Sequence, residues 1–174
     1  KANAVAAVQS LKLQGVDVIM LTGDNARSAA KVARDVDIKR VIAEVLPEDK
    51  AREVETLRAS GLIVAMVGDG VNDAPAMAVA DVGIAMGTGS DVTMQTAGIT
   101  IMRGEPDLVV ASIKASRATY SKIRQNLFLA FIYNIIGIPL AAAGLLSPVI
   151  AGMAMAMSSV SVVLNSLLLK RWKP

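Results

Sequence analysis

Along the first hundred residues, short apolar runs alternate with amphipathic stretches, and polar turns separate them. Residues 2–14 (ANAVAAVQSLKLQ) place Val5, Val8 and Leu11 at threefold spacing, which predicts a helix. Gly15 stops it, and VDVIML (16–21) is β-branched and apolar, as a buried parallel strand is. After TGDN, residues 26–36 predict a second helix, with Ala30, Val32, Ala33 and Val36 apolar. A strand over 41–45 follows, then an acid-led helix over 46–60 that ends before Gly61. Leu62–Val67 predicts a third strand, and the turn GDGVNDAP leads into a helix over 73–80. VGIAM (82–86) and ITIM (99–102) predict two more strands around GTGSDVTMQTA. Strand–helix alternation with buried strands implies a mainly parallel, doubly wound α/β sheet. Ligand sites in such sheets lie beyond the carboxyl ends of the strands, where TGDN and GDGVND both fall.

The pattern changes at residue 106. PDLVVASIKASRATYSKIRQ (106–125) predicts an amphipathic helix, its Leu108, Val109, Ile113 and Ile123 set against Lys114, Arg117, Lys122 and Arg124. From Gln125 to Leu169 no residue is charged, and the run is broken only at GLLSP (144–148). A bilayer core of about 30 Å takes some 20 apolar residues per helix, so this block is long enough for two spans, near 126–145 and 149–169. The expected organisation is a partial α/β domain over 1–105, a stalk helix over 106–125, a transmembrane hairpin over 126–169 and a basic tail over 170–174.

Charge sharpens that division. Residues 1–107 hold all 15 acids and 11 of the 18 basic residues, a net −4, whereas 108–174 hold seven basic residues and no acid. Basic residues border the uncharged run on both sides, which places both ends of the hairpin in the cytoplasm and points to membrane lipid, not nucleic acid, as the partner. No cleavable leader is expected, since Lys1–Leu21 predicts a helix and a strand. Without cysteine or histidine, disulfides and the usual zinc ligands are excluded.

The two polar turns carry the candidate chemistry. Thr22 and Gly23 offer a hydroxyl and a backbone N–H to a phosphate oxygen near a helix N-terminus. Asp24 is expected to cap helix 26–36. Lys50, after strand 41–45, supplies a point charge to the same phosphate. Asp69 and Asp73 cannot lie together unpaired, and a hard cation such as Mg2+, with one or two carboxylates plus water and phosphate, resolves the conflict. Asn72 is placed to hydrogen-bond the phosphate or its neighbours, and Gly68 and Gly70 are expected to let the backbone turn sharply.

TGD (22–24), PEDK (47–50) and GDGVNDAP (68–75), followed by ADVGIAMGTGSD (80–91), resemble the ordered motifs of the phosphorylation domain of P-type ATPases, in the haloacid-dehalogenase-like superfamily. The resemblance implies a carboxylate that takes the γ-phosphoryl group of ATP and is later hydrolysed. It makes Asp69 a magnesium ligand and sets Asp73 and Asn72 to organise the metal and phosphate region. Lys50 would then neutralise phosphate charge while Thr22 and Gly23 hold its oxygens. The family's nucleophile lies in a DKTGT motif, which does not occur here; the actuator motif TGE is absent too. The expectation is therefore a C-terminal portion of a pump, inactive alone. It would work with an ATP-binding domain, an actuator domain, a Cys-Pro-Cys helix and a copper donor protein. Two other roles compete: a non-catalytic piece that assembles with other chains, and a membrane-tethered phosphatase of the same superfamily.

The hairpin bears on the transported ion. Asn134 lies about twelve residues before the reversal and Ser159 about twelve after it, so both lie some 18 Å from the turn at 1.5 Å per residue. Met155 and Ser159 share a helix face. Such groups serve either as hydrogen-bonding glue between spans or as an ion path. A thioether beside them favours Cu(I) over Zn(II) or Ca(II), and the lack of any acid after residue 107 agrees. Tyr133–Asn134 (YN) and Met155–Ser159 (MxxSS) resemble the copper-transporting subgroup, which makes Tyr133, Asn134, Met155 and Ser159 pathway residues, with Ser158 a weaker candidate. The link between the spans is shorter than that subgroup's usual one.

Overall fold

Two strands of the first part of the chain begin later than the apolar runs that predict them, and the strand expected over 41–45 is instead Arg40–Ile42. In the computed structural model, which describes residues 3–87 and 91–171, β1 is Ile19–Leu21 and β3 is Ala65–Gly68, each starting three residues into its run. The residues ahead of β1 are irregular: the Val16 N–H donates to the Leu11 carbonyl and closes α1 (Ala4–Leu13). Thr88, Gly89 and Ser90 of the GTGSD stretch, and Trp172, Lys173 and Pro174 of the basic tail, lie outside the described residues.

Two compact units emerge, Lys1–Val110 and Ala111–Pro174. In the first, α2 (Ala26–Asp35) precedes β2 (Arg40–Ile42) and α3 (Asp49–Ala59) precedes β3. A single 3-10 turn (Val71–Asp73) then opens α4 (Ala74–Val79), which leads to β4 (Val82–Met86). A short α5 (Asp91–Thr96), within the stretch between the two strands expected there, precedes β5 (Ile99–Ile101). All pairing is parallel, with Met20 opposite Val41, Met66 opposite Gly83 and Ala85 opposite Thr100. The parallel α/β architecture thus holds, but in two pieces: β1–β2, and β3–β4–β5. The pieces share side chains rather than ladder hydrogen bonds. Leu21 of β1 packs against the cluster of Val54, Met66, Ala76 and Met77 contributed by α3, β3 and α4. Helix α2 buries Ala29 and Ala33, one turn apart, while Val32 stays half-exposed, so the inward face is the alanine one.

In the second unit the amphipathic segment and the first apolar span form one helix. α6 runs Pro106–Ala142, its first turns in the first unit, where Val109 and Val110 are buried. Gly144, at φ +70, ends it: the Gly144 N–H reaches the Ala141 carbonyl and the Leu145 N–H the Leu140 carbonyl. Ser147 then caps α7 (Pro148–Leu167), accepting the Ile150 N–H at 3.4 Å, with Pro148 at the first helical position. A 3-10 turn (Leu168–Arg171) follows. Both helices are long and apolar enough to cross a membrane, with mean hydropathies of 1.5 and 1.7 in windows of which nothing is buried.

Candidate functional site

The turn after β1 is pinned before it can meet any ligand. The Thr22 N–H donates to the Ile42 carbonyl at 3.0 Å and the Val45 N–H donates to the Thr22 carbonyl at 3.1 Å. Thr22 Oγ1 accepts the Asp24 N–H at 3.1 Å, which leaves the hydroxyl proton to donate outward. Gly23 is exposed, and a Cβ there would stand 3.2 Å from the Val45 carbonyl oxygen. Asp24 does not cap α2. That role falls to Asn25, in extended conformation, whose side-chain oxygen accepts the Ser28 N–H at 2.9 Å. The cap lies one residue later than expected because an N-cap oxygen must reach the amide three residues on. Asp24 is exposed, and its carbonyl accepts the Glu44 N–H.

The second turn holds a partly buried ion pair. Lys50, in the first turn of α3, donates to Asp73 Oδ1 at 2.7 Å, with 17% and 13% of the two side chains exposed. The Gly70 N–H donates to Asp73 Oδ2 at 3.3 Å, so both carboxylate oxygens have protein partners. The expectation that Asp69 and Asp73 require a cation to coexist is thereby revised: the charge on Asp73 is met by Lys50. Asp69 and Asn72, on the same turn, are exposed and have no side-chain partner among the described residues. Gly68 and Gly70 do not adopt positive φ. Gly68 is needed for space, since a Cβ there would stand 2.7 Å from the Asp73 side chain. Leu21 precedes Thr22 and packs on the cluster containing Met66, so the TGD and GDG turns follow strands that share one core.

A residue that the sequence left without a role secures the other end of β3. Asp81 accepts the Val64 N–H at 2.9 Å and Arg58 through Nε and Nη2 at 3.0 and 2.8 Å, while Arg58 Nη1 reaches the Val79 carbonyl. The Val64 amide first, and the Arg58 guanidinium second, hold its carboxyl below the ordinary 3.8.

In the second unit, a cleft of about 380 Å3 opens between α6 and α7, lined among others by Tyr133, Asn134, Gly137, Met155, Ser158 and Ser159. The expected pathway residues therefore converge, with Ser158 among them. The cleft is open at Gly137, where a Cβ would meet nothing within 4 Å. Asn134 Nδ2 and Ser159 Oγ each donate to the carbonyl four residues back on their own helix, leaving the amide oxygen and the hydroxyl lone pairs for other partners. The Tyr133 hydroxyl lies 3.5 Å from Ser161 Oγ.

Nearer the basic end, a polar ladder that sequence reasoning missed ties the helices together. Lys122 Nζ donates to Asn165 Oδ1 at 2.9 Å and to Gln125 Oε1 at 3.0 Å. Asn165 Nδ2 donates to Asn126 Oδ1 at 2.8 Å, and Asn126 Nδ2 to Ser166 Oγ at 2.7 Å. Two asparagines inside a run without charges were the available signal.

Comparison with known proteins adds the lineage. A family model for haloacid dehalogenase-like hydrolases matches residues 1–81. Over 173 residues, 99% of this chain, the sequence is 57% identical to a copper-exporting P-type ATPase of Staphylococcus epidermidis. The chain belongs with the P-type ATPases. A copper-exporting P-type ATPase of Legionella pneumophila is 52% identical over 98% of the chain. The Enterococcus hirae protein named "Probable copper-importing P-type ATPase A" is 56% identical over 98%. A zinc-transporting PIB-type ATPase in an E2.Pi state superposes on this P-type ATPase chain with a TM-score of 0.91, at 38% identity over 97% of this chain and 28% of its own. The chain spans 22% of the Staphylococcus relative's length and 24% of the other two.

Proposed function

We propose that this chain supplies the metal- and phosphate-binding turns and part of the ion path of a pump that exports Cu(I) across a membrane, driven by ATP through an aspartyl-phosphate intermediate. The observation that carries the ion assignment is the α6/α7 cleft, where the Met155 thioether stands with Tyr133, Asn134, Ser158 and Ser159 and no carboxylate joins them. A soft monovalent ion is matched by neutral thioether, hydroxyl and amide donors, whereas a divalent ion in low dielectric calls for acidic compensation. The high identity to pumps named for copper supports the same choice over zinc. Relatives named as exporters and as an importer match equally well, so export is the part of the reading that transport assays in sealed vesicles decide.

On the phosphate side, the nucleophilic aspartate comes from outside these 174 residues, which contain no DKTGT. Thr22 and Gly23 present a hydroxyl proton and an amide to the phosphoryl oxygens. Lys50 is held beside the site by Asp73 and neutralises phosphate charge, and Asn72 hydrogen-bonds nearby. Asp24, capping nothing, contributes negative charge at the rim of the same turn. The donor set suits Mg2+: the exposed Asp69 is free to ligate, and Asp73 stands one bond back, orienting Lys50 and the Gly70 amide. Asp69 would hold the metal, which would supply positive charge to offset that of the phosphate oxygens. Basic residues at both ends of the hairpin support a cytoplasmic position for those ends. The remaining pump domains, membrane lipid and a copper donor protein are the partners of this reading.

Full-length protein in liposomes tests it. Met155→Ala should abolish Cu(I)-stimulated ATP turnover while phosphorylation by inorganic phosphate persists, because the phosphate site is intact. Retained Cu(I) stimulation in that variant removes the cleft from the ion path.

A further inference from the structure

The ion cleft lies between two ties that join α6 to α7. At one end the chain itself turns through GLLSP (144–148). At the other, hydrogen bonds run in one direction across the seam. Lys122 donates to Asn165 at 2.9 Å, Asn165 to Asn126 at 2.8 Å, Asn126 to Ser166 at 2.7 Å, and Ser166 to the Val162 carbonyl at 2.9 Å. Asn126 and Asn165 each use both ends of the side-chain amide, so neither can turn over without breaking two bonds. Asn126 lies eight residues, about 12 Å, before Asn134, and Asn165 lies six residues, about 9 Å, after Ser159. The ladder therefore flanks the cleft without lining it.

The cleft cannot hold its own walls together. The hydrogen bonds of Asn134 and Ser159 go to carbonyls of their own helices. Of its polar side chains, only Tyr133 reaches across among the described residues, at 3.5 Å from Ser161 Oγ. The rest of the wall includes Ala130, Gly137, Ala151 and Ala154, small residues that permit close approach but hold no particular register. Apolar contacts fix none either, because lipid tails cover such surface as well as a neighbouring helix does. A slide of α7 by one turn, about 5.4 Å, would cost that packing little yet carry Met155 and Ser159 out of line with Tyr133 and Asn134. Paired asparagines penalise such a slide, since a shifted amide is left without its partners. We propose that Asn126 and Asn165 are positioning residues for ion transport, setting the register of α6 against α7 that brings the cleft's donors together. The proposal rests on the reading of that cleft as the Cu(I) path.

The test uses the full-length protein in liposomes, with ATP turnover measured against buffered free Cu(I). Asn165→Leu should raise the half-maximal Cu(I) concentration about fivefold, since a cleft assembled in only part of the population binds in proportion to that part. Turnover at saturating Cu(I) should change little, as should phosphorylation by inorganic phosphate. Asn165→Asp, whose two oxygens can accept from Lys122 and Asn126, should recover most of the wild-type affinity. Asn126→Leu and the double variant should match Asn165→Leu rather than add to it, because both single changes cut the bond between the two asparagines. An unchanged half-maximum in Asn165→Leu, or an equal shift in Asn165→Asp, overturns the proposal. Should Asn165→Leu fail to insert, Ser166→Ala, which removes only the last link, takes its place. It should raise the half-maximum by a smaller factor, and no rise overturns the proposal. Met155→Ala tells the two failures apart. Cu(I) stimulation that survives there removes the path itself, whereas stimulation lost there with Asn165→Leu unshifted sinks this inference alone.

Discussion

In the α/β unit Lys50 meets Asp73 at 2.7 Å and Arg58 meets Asp81 at 2.8 Å, while in the hairpin Lys122 finds only amide oxygens, at 2.9 and 3.0 Å. The contrast extends to apolar surface. Buried hydrophobic residues run from Ala7 to Val110, and α7 buries no residue at all. The first unit thus pairs some of its charges and covers a core from within, as a water-facing domain must. The second leaves Phe128, Ile138, Val149 and Met153 more than 60% exposed, which only lipid or neighbouring helices can cover. One chain therefore joins a half with internal ion pairs to a half that has cations and no acid. A hard, charged ligand suits the first; a soft ion held by neutral donors suits the second.

Breaking the internal balance of the first unit should have the largest effect. Lys50→Met leaves Asp73 with a single weak partner in a mostly buried place, and chemical unfolding should show a loss of about 3 kcal/mol, the low end for breaking a buried pair. Gly68→Ala forces a methyl group against the Asp73 side chain and should cost about 2 kcal/mol in the same assay. If it costs nothing, the tight approach of that glycine to the carboxylate is not a real constraint.

The hairpin should respond more weakly, because its polar ladder joins neutral groups and one ammonium. Asn165→Leu removes bonds to both Lys122 and Asn126, and steric-trap measurements in bilayers should register roughly 1 kcal/mol. A loss of several kcal/mol would mean that this half also depends on strong internal pairing.

The smallest effect is a pH dependence at Asp81. Its carboxyl titrates below 3.8 in the folded chain, so the stability it lends is fully present above that ordinary value and is lost as pH falls through the lowered one. Urea midpoints between pH 6 and pH 3 should fall less steeply in Asp81→Asn than in wild type.

Much of this was legible in the residues. β-Branched runs ending in TGD and GDG placed two strands and the turns after them, and the uncharged stretch bordered by basic residues marked the two long helices. What could not be read depended on partners distant in sequence. Nothing in VDVIML says that its first three residues stay outside the ladder, and nothing in VGDGVND says that Asp73 meets Lys50, 23 positions away. The division into two sheets is a matter of which edges find partners, which no local pattern encodes. Asp24 and Asn25 both suit a helix cap, and only backbone geometry chose Asn25. Asn126 and Asn165 were visible as polar residues in an apolar run, but their mutual hydrogen bond needed the two helices side by side.

The central claim, that the acid-free half passes a soft monovalent ion, is tested most directly by metal-stimulated ATP turnover of the full-length protein in liposomes, with Cu(I) and Zn(II) each supplied at buffered free concentrations. Stimulation by Cu(I) with none by Zn(II) is the expected result; stimulation by Zn(II) with Cu(I) inert would contradict it.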